Sequence, residues 1–161
     1  MNKNTIRNIA ALLVSILLAQ GAGLLGSLAT VPQIDTWYRE LTKPGFTPPD
    51  SAFPIVWPLL FTLMAIAAWL VWLKKDEITA AKTGLVWYGV QLICNVAWSF
   101  LFFGMQSPPA ALVEILILLA AILITTRYFY KVDIKAAILM TPYILWVGYA
   151  MVLNGSIVLL N

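Results

Sequence analysis

Five apolar stretches, each long enough to cross a membrane, constrain the fold of this chain more than any other feature. They cover approximately residues 6–28, 52–73, 83–105, 108–130 and 134–159. A bilayer core about 30 Å thick is crossed by roughly 20 apolar residues in a helix. The second stretch has Thr62 as its only polar side chain, so it has no polar face to present to water. We therefore predict an all-α integral membrane protein, a single domain over residues 1–161 built as a bundle of five transmembrane helices.

Composition excludes several kinds of chemistry. Of the 161 residues, 61% are hydrophobic and 11% are charged, against about half and a quarter in soluble domains. The chain has no His and one Cys, Cys94, which removes intramolecular disulfides, the usual zinc sites and His-based catalytic triads. The longest cationic run is Lys74-Lys75, too short for a basic nucleic-acid surface. We expect no metal, no cofactor and no nucleic-acid partner.

The first stretch has two interpretations. Lys3 and Arg7 precede an apolar run that ends near residues 27–29, which is also the pattern of a secretory signal with its cleavage site. The run exceeds the roughly 7 to 15 apolar residues of such signals, so we favour a retained span. Small residues recur in it at every fourth position and form a packing ridge, facing either the bundle or a second copy of the chain: Ala11, Ser15, Ala19, Gly23 and Ser27.

The distribution of basic residues predicts the orientation. With five spans, the N-terminus, the second connection and the fourth connection share one side of the membrane, and eight of the ten Lys and Arg residues lie there. Arg39 and Lys43, in the first connection, are the other two. Cytoplasmic segments carry the excess of basic residues. We therefore expect a multi-pass protein with its N-terminus in the cytoplasm and its first connection and C-terminus outside.

The connection over residues 29–51 is long and has the composition of a folded segment. Four prolines, at positions 32, 44, 48 and 49, fix the backbone angle φ, and Trp37, Tyr38 and Phe46 are costly to leave in water. Connections of this length in a compact domain are commonly lids or binding elements. The alternative is an interfacial segment whose Trp and Tyr lie at the level of the lipid headgroups. We favour a lid.

Three helical faces carry side chains suited to a ligand pocket. Gln91, Asn95 and Ser99 recur every fourth residue and share one face of the third stretch, and polar groups at membrane depth must face protein or a cavity. Two further faces carry aromatic residues: Phe53, Trp57 and Phe61 in the second stretch, and Trp146, with Pro142, Ala150 and Leu153, in the fifth. Aromatic walls with a few polar groups suit a flat, largely apolar ligand.

Glu114 is the only acid within a predicted span. Placing an acid at the bilayer centre costs about 2.5 to 3.5 kcal/mol, so we expect Glu114 to face inward, either paired or protonated. Its depth is compatible with the wall of the same cavity in the outer half of the membrane. A proton path and plain packing are the alternatives, and the lack of His or a second intramembrane acid argues against the former.

Three segments carry a resemblance to a known family: WYRELTKPGFTPPDSAFPIVWPLLF at 37–61, NVAWSFLFF at 95–103 and TPYILWVGYAMVLN at 141–154. The match extends over nearly the whole chain, which resembles the translocator protein / tryptophan-rich sensory protein family. The resemblance implies a five-helix bundle, commonly a homodimer in membrane lipid, that binds porphyrins, sterols and benzodiazepine-type ligands beneath the first connection. The residues that match the family's cavity are Trp37, Tyr38, Pro48, Phe53, Trp57, Phe61, Asn95, Trp98, Ser99, Trp146, Ala150 and Leu153.

The resemblance leaves more than one function open. The first is a transporter or sensor that binds tetrapyrroles of the protoporphyrin or haem type and similar flat apolar ligands. The second is an enzyme that degrades protoporphyrin in light, with Trp57 and Trp146 as the catalytic, oxidisable residues. A membrane scaffold is the third. No nucleophile, base or metal site is evident, so an enzyme would depend on the photochemistry of the pigment. We favour binding.

Two remaining expectations follow from the family comparison. Animal members carry a sterol motif in which a basic residue follows a Tyr at the end of the fifth span, whereas no basic residue follows Tyr149 here. Sterol binding by that route is therefore not expected. The short segment before the first span favours a microbial cell membrane over a mitochondrial one.

Overall fold

Six helices make up the computed structural model, which describes residues 2–161. Within those residues the helices are α1 (Lys3–Ile34), α2 (Trp37–Glu40), α3 (Phe53–Trp72), α4 (Thr79–Ser99), α5 (Pro108–Val132) and α6 (Ile134–Leu160). All but α2 are long and apolar enough to cross a membrane. No strand occurs between residues 2 and 161. The predicted all-α bundle of five transmembrane helices is confirmed.

The starts of the helices follow from local sequence. The side chains of Asn2 and Asp133 cap α1 and α6 by accepting hydrogen bonds from backbone N–H groups in the first turn. Pro54 and Pro108 lie in the first turns of α3 and α5, where a missing backbone N–H costs no helical hydrogen bond. Polar caps and prolines therefore define where these spans begin.

Helix α1 continues to Ile34, six residues beyond the predicted end at residue 28. Pro32 lies in the last turn of α1, where a proline removes only one helical hydrogen bond. The Thr36 hydroxyl donates to the Pro32 carbonyl at 3.0 Å and closes that turn. The first connection is consequently shorter than residues 29–51, and the outer end of α1 becomes available to line a site.

The end of α4 departs from regular α-helix. Phe100–Gly104 form a π-helical turn, in which the backbone N–H of Met105 donates to the Phe100 carbonyl at 2.7 Å. Gln106 follows with a φ of 51°, a left-handed conformation that reverses the chain before α5. The wider turn changes the direction of the side chains after Ser99, and both Phe102 and Phe103 become buried.

The five long helices form a closed ring in the order α1, α3, α6, α5, α4, with α4 returning to pack on α1. Small residues of α1 permit the closest approaches. A Cβ at Gly23 would lie 2.6 Å from the Phe61 ring, and the Ser15 hydroxyl donates to the Ala65 carbonyl at 2.7 Å. Part of the small-residue ridge therefore packs within the bundle, as expected where close van der Waals contact drives helix association in lipid.

An ion pair joins two connections at the end of the bundle opposite α2. The Lys74 ammonium lies 2.9 Å from the Asp133 carboxylate, and the second oxygen of Asp133 accepts from the backbone N–H of Lys135 at 2.9 Å. Hydrogen bonds from these two donors lower the pKa of Asp133 below its ordinary value. This pair ties the α3–α4 connection to the start of α6.

Candidate ligand-binding cavity

A cavity of about 550 Å³ lies inside the ring, bounded by α1, α3, α4 and α6 and covered by the first connection. Its volume is within the roughly 300–1,000 Å³ of small-molecule sites. No residue of α5 lines it. The site is thus built from four of the five long helices, at the end where α2 and the first connection fold over the bundle.

Ten of the twelve predicted binding residues line this cavity: Tyr38, Phe53, Trp57, Phe61, Asn95, Trp98, Ser99, Trp146, Ala150 and Leu153. Trp37 and Pro48 do not. Trp37 precedes Tyr38 in the same helical turn, so the two side chains point in different directions, and Trp37 packs edge-on against Phe102 at 5.7 Å. Pro48 is half-buried within the connection itself.

Aromatic rings from α3 and α6 form one wall. Trp57 stacks on Phe61 with ring centroids 5.6 Å apart and meets Trp146 at 6.5 Å in a perpendicular arrangement. Phe53 also contacts Trp146 edge-on, with ring centroids 6.1 Å apart. Such offset and edge-to-face contacts fix each ring against its neighbours. The wall is therefore a rigid apolar surface suited to a flat ligand.

The polar stripe of α4 divides between the cavity and the helix packing. Asn95 lines the cavity and its side-chain amide donates to the Tyr143 hydroxyl at 3.0 Å. Ser99 also lines the cavity, where α4 packs closely on α1: a Cβ placed at Gly26 of α1 would lie 2.9 Å from the Ser99 hydroxyl oxygen. Gln91 is fully buried below the cavity, where its amide N–H contacts the Met64 sulfur at 3.6 Å. Two of the three stripe residues are thus positioned to meet a ligand.

Glu114 lies away from the cavity, which corrects the expectation that it shares the wall. It is buried on α5 beside Cys94 of α4, and α5 contributes nothing to the lining. One of its carboxylate oxygens has no hydrogen-bond partner among residues 2–161. Its depth matched the cavity, but depth along a helix does not determine which side of the ring the helix occupies.

The first connection is folded over the cavity and bonded to α6. Tyr149 donates its hydroxyl to the Phe46 carbonyl at 2.6 Å, and the two rings meet edge-on. Farther along, the Asn161 side chain accepts from the Thr42 N–H at 2.9 Å and donates to the Thr42 carbonyl at 3.0 Å. These contacts favour the interpretation of the connection as a lid over that of a loose interfacial segment.

Tyr38 is the aromatic residue of the lid that lines the cavity. It is buried against Phe102 and Phe103 of the π-helical turn, with centroid distances of 6.2 and 5.5 Å. Burial raises the pKa of Tyr38 to about 12, and the nearby Asp50 carboxylate adds to the shift. The Lys43 ammonium donates to the Tyr38 carbonyl at 2.6 Å and lies over its ring. The Tyr38 hydroxyl is consequently protonated, and Lys43 of the same lid holds the residue in place.

Sequence reasoning missed part of the lining. The missed residues are Gln20, Gly23, Leu24, Gly26, Ser27, Thr30, Val31 and Ile34 of α1, Asp50, Pro54 and Pro58 near the start of α3, Phe102 and Phe103 of the π-helical turn, and Asn154 and Ile157 of α6. The small residues of α1 signalled close packing but not a cavity. Nothing in the sequence indicated the π-helical turn.

Two of the missed residues fix the geometry of the wall. Asn154 is buried, accepts from the Trp98 indole N–H at 3.3 Å and donates to the Pro108 carbonyl at 2.9 Å. Gln20 donates to the Pro58 carbonyl and to the Thr62 hydroxyl, both at 3.0 Å. Asn154 continues the α6 face of Trp146 and Ala150 by one turn, so extending that stripe would have found it.

A larger, open groove lies on the outside of the bundle, between α1, the second half of α3 and α4. It measures about 1,440 Å³ and its wall is overwhelmingly apolar. Gly21 and Gly89 lie in it, and a Cβ at either would meet no atom of this chain within 4 Å. The groove therefore has unfilled space at the backbone of two helices.

Comparison with known proteins gives a consistent result. The model of the TspO/MBR family matches residues 15–160. "Tryptophan-rich protein TspO" of Chlorobaculum tepidum is 40% identical over 96% of this chain and 98% of its own, and the protein of the same name in Archaeoglobus fulgidus is 38% identical over 96% and 99%. Human "Translocator protein" is 36% identical over 73% of this chain and 70% of its own.

Proposed function

The chain belongs to the TspO/MBR family and is a multi-pass membrane protein, and on this basis we propose that it binds tetrapyrroles of the protoporphyrin or haem type, and similar flat apolar ligands, as a transporter or sensor. Relatives bear the names "Translocator protein" and "Tryptophan-rich sensory protein", which support the two roles equally. The ligand would occupy the 550 Å³ cavity beneath the lid.

The observation that carries this proposal is the combination of an aromatic wall and polar groups in one cavity. Trp57, Phe61 and Trp146 provide a fixed aromatic surface, and Asn95 and Ser99 face it from α4. Pockets that are mostly apolar with a few converging polar groups bind flat ligands with defined orientation. The ten matching residues of the family's cavity would then be the binding residues.

Titration of protoporphyrin into purified protein in the dark tests the proposal. We expect saturable quenching of tryptophan fluorescence and a shift in porphyrin absorbance, because the ligand would contact Trp57 and Trp146. Linear, non-saturating quenching equal to that in empty detergent micelles would reject a specific site.

Light-dependent protoporphyrin degradation is the second candidate function. The observation that favours it is the pair of indoles, Trp57 and Trp146, perpendicular at 6.5 Å in the same cavity. Indole is the most readily oxidised of the aromatic side chains, so either can donate an electron to the excited pigment. Dissolved dioxygen would then add to the reduced pigment and supply the oxygen atoms of the opened ring, and the indole radical would regain its electron as the product forms. Replacing both by Phe keeps much of the stacking surface but removes this donor.

Illuminated and dark samples separate the two functions. If the protein is an enzyme, bleaching under light depends on the protein and falls sharply in the double Phe variant, while affinity in the dark changes little. Degradation at the wild-type rate in that variant would show that Trp57 and Trp146 are not the reactive residues. Absence of protein-dependent bleaching in the wild type would leave transport or sensing.

The orientation remains a proposal drawn from the basic residues: in a cell membrane, the N-terminus is cytoplasmic and the lid faces outward. A reporter that works only in the cytoplasm should be active at the N-terminus and after Lys75, and inactive at the C-terminus. Activity of the C-terminal fusion alone would invert the assignment and place the cavity mouth in the cytoplasm.

We further propose a homodimer, with the outer groove as the contact. Gly21 and Gly89 leave backbone exposed there, and close backbone approach favours helix association in lipid. Gly89→Leu should shift the protein from dimer to monomer in native mass spectrometry. Gly148→Leu is the control, since its Cβ also meets nothing within 4 Å but lies outside the groove. A dimer unaffected by Gly89→Leu would exclude this surface.

A further inference from the structure

The open groove on the outside of the bundle ends among basic side chains. Arg7 of α1 and Trp72 of α3 line this end, and the rest of the wall is overwhelmingly apolar. The Lys75 ammonium lies over the Trp72 ring, 4.1 Å from its centroid. Trp side chains favour the headgroup level of a bilayer. Trp72 and the charges beside it therefore mark where the groove leaves the hydrocarbon.

Three basic side chains from different parts of the chain converge on one acid here: Arg7 of α1, Lys75 of the α3–α4 connection and Lys82 of α4. The Lys75 ammonium lies 3.1 Å from the Asp76 carboxylate. That hydrogen bond, together with the positive charges of all three basic side chains, lowers the pKa of Asp76 below its ordinary value. The three basic residues and Trp72 form the basic end of the groove.

The acids nearby do not neutralise this end of the bundle. Eight Lys and Arg residues lie here against three acids, an excess of five positive charges. The acids are Asp76, Glu77 and Asp133. Arg7 and Lys82 are exposed, and among residues 2–161 neither forms an ion pair. Both side chains can therefore bind an anion that the chain itself does not supply.

The groove next to the basic end has the length of one bilayer leaflet. Along α1 its lining runs from Arg7 to Leu17 through small or apolar residues. Ten residues of helix rise about 15 Å, which is half of a bilayer core about 30 Å thick. The dimer contact proposed above centres on Gly21 and Gly89, one helical turn beyond Leu17. A lipid and a second copy of the chain would therefore occupy different parts of the groove.

We propose that the basic end of the groove binds an anionic phospholipid of the bilayer, with its phosphate at Arg7 and Lys82 and an acyl chain along α1 toward Leu17. The Arg guanidinium presents paired N–H donors that match phosphate oxygens, and basic pockets between transmembrane helices bind anionic headgroups. The site is separate from the cavity, because the two share only Leu24 and Ser27, in the other half of α1.

Two phospholipids with identical chains test the proposal: dioleoyl phosphatidylglycerol, which is anionic, and dioleoyl phosphatidylcholine, whose ammonium group cancels the phosphate charge. Each is titrated separately into the full chain in detergent, and native mass spectrometry measures the fraction of protein that retains one lipid. The quantity compared is the ratio of the two association constants, which removes any general affinity for acyl chains. We expect the wild type to prefer phosphatidylglycerol at least about fivefold.

Arg7→Gln should reduce that preference about three- to tenfold, and adding Lys82→Gln should reduce it further. Arg127→Gln is the matched control, because Arg127 is an exposed Arg of α5 at the same end of the bundle but outside the groove. It removes the same charge, and its preference should equal that of the wild type. Inorganic phosphate in hundredfold excess should not displace the lipid, because it has no chain to bury in the groove.

Four results would overturn the inference. Equal retention of the two lipids by the wild type would exclude a site for anionic headgroups, and an unchanged preference in Arg7→Gln would exclude this position. An equal loss in Arg7→Gln and Arg127→Gln would assign the effect to the overall charge of this end. Displacement by inorganic phosphate would show a site for free phosphate rather than for a lipid. None of these results depends on whether the cavity binds a tetrapyrrole.

Discussion

Gly23→Ala should destabilise the bundle, because it places a methyl group where α1 and α3 touch. The added Cβ would lie 2.6 and 2.8 Å from two carbons of the Phe61 ring, about 1 Å inside ordinary carbon contact. Phe61 is 2% exposed and stacked on Trp57 at 5.6 Å, so it has little room to move away. Overpacking of this kind costs roughly 1–3 kcal/mol.

Helix propensity opposes that cost, since Ala is better than Gly by about 1 kcal/mol. Gly148→Ala isolates the difference: it carries the same gain in propensity, and its Cβ meets no atom within 4 Å. We expect Gly23→Ala to be less stable than Gly148→Ala by about 1–3 kcal/mol. At about 2–4 °C per kcal/mol for a chain of this size, the midpoints should differ by roughly 2–12 °C.

Thermal unfolding in one detergent, followed by tryptophan fluorescence, measures both variants. Gly23→Ala should also weaken ligand binding, because Phe61 belongs to the cavity wall. Equal midpoints, or a more stable Gly23→Ala, would refute the close packing of α1 on α3 and with it the position of this wall.

Three further predictions concern single contacts. Asn95→Leu should weaken porphyrin binding and destabilise the fold by about 1–3 kcal/mol, because it leaves the buried Tyr143 hydroxyl without its hydrogen-bond partner. Adding Tyr143→Phe should recover stability in thermal melts but not affinity. Unchanged porphyrin affinity in Asn95→Leu would assign Asn95 to helix packing alone. Tyr149→Phe removes the hydrogen bond to the Phe46 carbonyl, which is worth about 0.5–1.5 kcal/mol. Stopped-flow measurements should therefore show ligand release about 2- to 10-fold faster than in the wild type. An unchanged release rate would mean that the lid does not control ligand release. Asp133 has a lowered pKa in the folded protein, so its ionised carboxylate stabilises the fold above the unfolded pKa of about 3.9, and this contribution is lost as pH falls through the folded pKa. Asp133→Asn should therefore have a lower melting temperature than the wild type at pH 7 and the same melting temperature at strongly acidic pH. Equal melting temperatures at pH 7 would contradict this.

The fold was predictable because membrane helices are specified by length and hydropathy alone. Each apolar stretch exceeded the bilayer thickness, and the short connections left little freedom in assigning spans. The ends were less predictable. The predicted end of α1 at residue 28 fell six residues short, because a proline in the last turn of a helix breaks little, and the π-helical turn after Ser99 has no sequence signature.

The cavity was predictable where a stripe of distinctive side chains marks one helical face, as on α3 and α6. It was less so on α1, whose contribution comes from small residues that indicate close packing whether or not a cavity lies beside them. Glu114 shows the remaining limit. Hydropathy and depth place a residue along the membrane normal, but the ring order that puts α5 away from the cavity is set by packing of all five helices.

The most direct test of the central claim is to fill the cavity and measure protoporphyrin affinity. Ala150 lines the cavity on α6, and Ala150→Phe would project a ring into the space beside Trp146. Ala120→Phe adds the same ring on the exposed face of α5, away from the cavity. We expect Ala150→Phe to weaken protoporphyrin binding at least about tenfold, the equivalent of 1.4 kcal/mol, while Ala120→Phe retains wild-type affinity. Equal affinities in two folded variants would contradict the assignment of this cavity as the ligand site.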